Sequence, residues 1–76
     1  MAEPKLRVQV VGNDILVSLP RYSYAVAYYK PEGSPGLLMR HSATKDDLRL
    51  AMTGGQFLTQ AWRLANEKAR EIAWIV

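Results

Sequence analysis

Leu6, Val8 and Val10 alternate with Arg7 and Gln9, and beyond Gly12-Asn13 the alternation resumes through Ile15, Val17 and Leu19. A period of two marks a half-buried strand. Two such runs joined by two residues, with glycine first, predict a β-hairpin closed by a type II′ turn. The short loop sets the register: Val11 opposite Asp14, Val10 opposite Ile15, Val8 opposite Val17 and Leu6 opposite Leu19. Directly opposed residues share a face. Leu6, Val8, Val10, Ile15, Val17 and Leu19 therefore form one apolar face, with Arg7, Gln9, Leu16 and Ser18 on the other. A slip of one residue would undo this sorting.

Pro20-Arg21 reads as a corner, because proline donates nothing to a ladder. Residues 22–30, rich in tyrosine with alanine and valine between, predict a third strand. Residues 31–36 form a loop by their Pro, Gly and Ser content, and 37–41 a short fourth strand. Thr44, followed by Lys45, Asp46 and Asp47, fits a helix start with an N-cap threonine and acids in the first turn. A single turn as far as about residue 52 is the expectation.

Thr53-Gly54-Gly55-Gln56 fits a capping box, and Met52 and Phe57 take the hydrophobic-staple positions. The helix that follows is expected to span about 53–74. At 100° per residue, Phe57, Leu58, Ala61, Trp62, Leu64, Ala65, Ala69, Ile72 and Ala73 gather on one half. Thr59, Gln60, Arg63, Asn66, Glu67, Arg70 and Glu71 gather on the other. Lys68 intrudes on the apolar half, where its stem can lie flat while the ammonium reaches water. Ala61, Ala65 and Ala69 let the helix approach a sheet closely, while Phe57, Trp62, Leu64 and Ile72 fill the gaps. The tail Trp74-Ile75-Val76 follows no helix-stopping glycine and is expected to fold back on the body or meet a partner.

These elements predict an α+β fold. An antiparallel β-meander of three to four strands packs against one long C-terminal amphipathic helix, with an extra helical turn before it. Residues 1–5 are expected to be disordered and 6–76 to form one domain.

Composition sharpens this picture. A chain of 76 residues buries only about 60–65% of its unfolded surface, so its core is thin. Small domains usually add disulfides, a metal or a partner subunit. With no cysteine and one histidine, the first is excluded and a structural zinc site nearly so. Association remains. Zero cysteine fits a reducing compartment. The polar start Met1-Ala2-Glu3-Pro4-Lys5 lacks the apolar stretch of a signal peptide, and no apolar run nears the ~20 residues of a membrane span. A cytoplasmic location is the expectation. The net charge of +3 is spread over both halves, with five basic and three acidic side chains in the first 43 residues. Electrostatics permit nucleic-acid binding without arguing for it.

No motif identifies a function. His41 and Ser42 are neighbours, but strand neighbours point to opposite faces and a hydrolase needs its groups to converge. Asp46-Asp47 reads as helix N-terminal charge. No catalytic constellation, metal site or cofactor is expected. Gly54-Gly55 opens the long helix, where bare amides can take an anion, although no phosphate-loop pattern accompanies it; the plain alternative is a joint between helical pieces. Tyr22 and Tyr24, with Arg21, Lys30 and Arg40, form a candidate nucleic-acid contact, since sheet aromatics flanked by basic residues can stack on unpaired bases. Against this, Tyr24, Val26 and Tyr28 alternate as a core face would. If they face the helix, Leu16, Ala25, Ala27, Tyr29 and Leu38 form an apolar outer face. Together with Trp74 they are the candidate interface for a homodimer or protein partner. The leading expectation is a non-enzymatic interaction module that self-associates; the alternative is a weak nucleic-acid-binding domain.

Tyr24-Ala-Val-Ala-Tyr-Tyr-Lys-Pro31 and the segment from Phe57 onward resemble small uncharacterised proteins of alphaproteobacteria, of the kind solved by structural genomics. The resemblance spans most of the chain and implies a bacterial cytoplasmic origin. It brings no assigned activity and hence no site residues. The order of elements also resembles small DNA-binding domains that read a groove with a three-stranded sheet, a likeness of fold only.

Overall fold

In the β1–β2 turn Gly12 takes φ 59°, and Ala73 is the one non-glycine at positive φ among the described residues. A type I′ turn needs positive φ at both central positions; with Asn13 outside that region, the glycine-first loop fits type II′. The computed structural model describes residues 5–19, 22–44 and 52–75. Strands β1 (Arg7–Val11) and β2 (Asp14–Ser18) pair antiparallel, with Val11 opposite Asp14, Val10 opposite Ile15 and Val8 opposite Val17. The expected register holds, although the ladder ends at Arg7 opposite Ser18, short of Leu6 and Leu19.

Strand β3 (Ala25–Tyr29) is shorter than the sequence implies, because the chain is still reversing direction at Tyr22. Tyr22 donates its amide to the Leu19 carbonyl at 3.1 Å, and Leu19 donates to the Tyr24 carbonyl at 3.0 Å. Strand β4 (Leu38–Ala43) starts one residue later than expected and runs on for two more. The four strands lie in chain order in one antiparallel sheet. Tyr28 pairs with Met39 and Ala27 with His41, so Arg40 is an extra residue, a β-bulge. One residue of bulge shifts the face pattern of everything beyond it. Leu38, His41 and Ala43 consequently share the outer face, with Met39 and Ser42 on the inner.

Helix α1 (Gly54–Glu71) crosses the inner face. Its start is the expected capping box. Gln56 donates its amide to Thr53 Oγ1 at 3.1 Å, and Thr53 donates its own to Gln56 Oε1 at 2.9 Å. Ile15, Val17, Val26, Tyr24 and Tyr28 from the sheet meet Phe57, Ala61, Ala65 and Ala69 from the helix in one buried cluster. The rings of Tyr24 and Phe57 lie 5.2 Å apart. The Tyr24 hydroxyl donates to the Met52 carbonyl at 3.0 Å, so the residue before the cap is tied to the sheet. Lys68 is half-buried and its ammonium turns out to Glu71 at 3.5 Å.

The helix ends three residues earlier than expected. Trp74 donates to the Ala69 carbonyl at 2.8 Å and Ala73 to that of Arg70 at 3.1 Å. These are the two hydrogen bonds of a Schellman cap, with Ala73 in the left-handed position at φ 63°. Glycine would have signalled the stop; alanine concealed it. Behind the cap Trp74 and Ile75 fold back, half-buried, onto the core. A left-handed alanine costs about 1–2 kcal/mol, partly offset by glycine's greater freedom when unfolded. Ala73→Gly is expected to raise stability by about 0.5–1 kcal/mol in urea unfolding. A loss of stability would show that the cap does not form. The expectations for residues 1–4, the Pro20-Arg21 corner, the turn across 45–51 and Val76 lie outside the described residues.

Candidate functional site

The helix packs against β1, β2 and β3, most closely against β2, and none of its Cα atoms lies within 8 Å of one in β4. An α-helix with its side chains is about 10–12 Å across. Four strands spaced about 4.8 Å apart put the outer two about 14 Å from one another. One helix centred on β2 therefore leaves β4 outside its footprint. All six residues of β4 are exposed, with Leu38 at 51% and Met39 at 47%.

Trp62 stands on the helix flank beside this gap. The periodicity placed it among the buried residues, but it is 46% exposed. Its ring meets that of Tyr28 edge to face, 5.5 Å between centroids. Met39 is opposite Tyr28 on β4. Trp62 and Met39 thus both lie beside buried Tyr28. Burial pushes the Tyr28 hydroxyl above the ordinary tyrosine value.

The outer face is less open than the sequence suggests. Leu16, Ala25 and Tyr29 are half-buried. Ala27 is only 3% exposed, because this small residue sits mid-sheet between Leu16 and His41 on the neighbouring strands. Larger neighbours shade it, so it cannot be a contact residue without repacking. Trp74 belongs to the core side. Of the candidate interface residues, Leu38 alone is widely exposed. Arg40 lies over Tyr29, its guanidinium carbon 4.2 Å from the ring centroid. Its Nε donates to Asp14 Oδ1 at 2.9 Å. An exposed ion pair of this kind adds about 0.2–1 kcal/mol; its larger effect is to hold Arg40 flat on the sheet.

The nucleic-acid candidates are not brought together as one surface. Tyr24 is buried and faces the helix, which corrects its assignment as a base-stacking residue. Tyr22 is half-buried against the core, and Arg21 lies outside the described residues. Lys30 and Arg40 do meet, with Tyr29, Glu32 and Trp74, around an open cavity of about 450 Å³ at one end of the sheet. Its charges are mixed, and Arg40 is already engaged by Asp14 and Tyr29.

Gly54 and Gly55 part company at the helix start. Gly54 is buried, and a Cβ there would come within 3.0 Å of the Thr44 carbonyl oxygen. The glycine permits Thr44 to pack against the helix end, so the space an anion would use on that side holds protein. Gly55 is exposed. His41 and Ser42, opposite Ala27 and Val26, point to opposite faces. Among the described residues no group of three or more His, Asp and Glu is placed to hold a metal ion. No described helix is long and apolar enough to cross a membrane. The sequence matches no protein-family model, and no curated protein or solved structure is found similar to it.

Proposed function

We propose that the protein is a non-enzymatic interaction module that self-associates, burying the β4 side of its sheet against a second copy. The observation that supports this most is the mismatch between one helix and four strands. On the helix side Met39 and Trp62 stay about half exposed beside β4, whose backbone the helix does not approach, and on the outer side Leu38 is half exposed as well. In so small a domain a thin core is ordinarily supplemented, and an apolar margin beside an uncovered strand is what a partner would bury. Size-exclusion chromatography with light scattering is expected to give twice the 8.6 kDa chain mass. A clean monomer at high micromolar concentration would overturn the reading.

A further inference from the structure

We propose that β4 is a flap, which swings away from β3 as a unit while the rest of the domain stays folded, and that Arg40 is the latch that sets how often it opens. The motion lies within one copy and goes beyond the self-association reading above.

β1, β2 and β3 are each held twice, by a neighbouring strand and by the helix. β4 is paired with β3 alone, and the helix does not approach its backbone. All six of its residues are exposed. Among the described residues none of the buried core comes from β4; it is built from β2, β3, the helix, and Leu19, Tyr24 and Leu37. Opening β4 therefore leaves that core in place, as three strands packed on a helix, which is enough for a stable pair of layers. A segment with few buried apolar contacts and an exposed backbone opens at a lower free energy than the whole domain unfolds.

The strand is pinned at both ends. Leu37, just before it, is buried in the core. Thr44, just after it, packs so closely on Gly54 that a Cβ there would lie 3.1 Å from the Thr44 Cβ. Six residues between two such anchors move together rather than fray from a free end.

Between the anchors, the bulge takes Arg40 out of the ladder. Its side chain crosses β3, with the guanidinium carbon 4.2 Å from the Tyr29 centroid, and bonds Asp14 on β2 at 2.9 Å. β2 is the strand on which the helix packs most closely. The latch thus ties the strand that the helix misses to the strand that it covers. An exposed ion pair and an exposed cation–π contact are each weak, so the latch can release. Release bares one edge of β3 and withdraws His41 from beside Ala27.

Hydrogen exchange of the full chain, run at low micromolar concentration, tests this. In wild type the β4 amides bonded to β3 are expected to share one protection factor, at least about tenfold below that of the slowest amides in β2 and α1. Arg40→Met destabilises the closed form against both the opened and the unfolded chain, so β4 and the core should both exchange about three- to tenfold faster. Glu67→Gly lies at an exposed position of the helix, which stays folded when the flap opens. It should speed the core amides about fivefold and leave β4 unchanged. Protection equal to that of the core, protection that grades from the ends of β4 to its middle, or β4 exchange that rises with the core in Glu67→Gly overturns the flap. Wild-type β4 exchange in Arg40→Met overturns the latch.

Discussion

Truncating Phe57 to alanine is expected to remove about 3–5 kcal/mol of folding stability. The ring is fully buried at the fourth helical position, 5.2 Å from that of Tyr24. Tyr24 in turn holds the Met52 carbonyl. One side chain thus links the helix start, the segment before it and the third strand. The core of a domain this small supplies only about 3–5 kcal/mol in total, so the variant should be largely unfolded at 25 °C. Urea titration followed by circular dichroism measures this. A loss of under about 1.5 kcal/mol would show that the helix start is not anchored through Phe57.

The opposite change, adding volume, should also be costly where the helix meets the sheet. Ala61, Ala65 and Ala69 are fully buried along one line of the helix. Ala65→Leu keeps nearly the same helix propensity, so any effect is steric. Inserting the larger chain is expected to cost about 1–3 kcal/mol, or to push the helix off β2. Glu67→Leu, at an exposed position, serves as the control and should stay within about 0.5 kcal/mol. If Ala65→Leu melts with wild type, the helix does not lie as close to the sheet as these alanines allow.

The parts of the fold legible in the sequence are those decided by near neighbours in the chain. The β1–β2 register follows from a two-residue loop and an alternation that only one pairing satisfies. The helix start follows from Thr53 and Gln56, three residues apart. Both are local rules, and both hold in the structure. The helix end was hidden because its signal depends on backbone conformation at Ala73, a residue that seldom adopts it. The bulge at Arg40 was hidden too, since an extra residue in one strand shows only against its partner.

The largest departure concerns Trp62. A helical wheel assigns Trp62 to the apolar half, and Trp62 does point toward the sheet side. Whether sheet lies beneath it depends on how many strands one helix can span. That question needs the strand count and two widths, about 10–12 Å against about 14 Å. The sequence contains that signal, but only once four strands are accepted and their order is known. Similarly, the outer face looked apolar by composition, while its exposure depended on which residues flank Ala27. Side-chain identity was legible there; shading by neighbours was not.

The chain order of the strands bears on how fast this protein finds its structure. Every pairing joins elements adjacent in the sequence, across connections of two, six and eight residues. Loop closure costs little over such short spans, and chains dominated by near-neighbour contacts fold quickly for their size. The distant closure is α1 returning to β1, β2 and β3, and α1 carries its own start and stop signals. The meander and the helix can therefore each begin forming without waiting for the other.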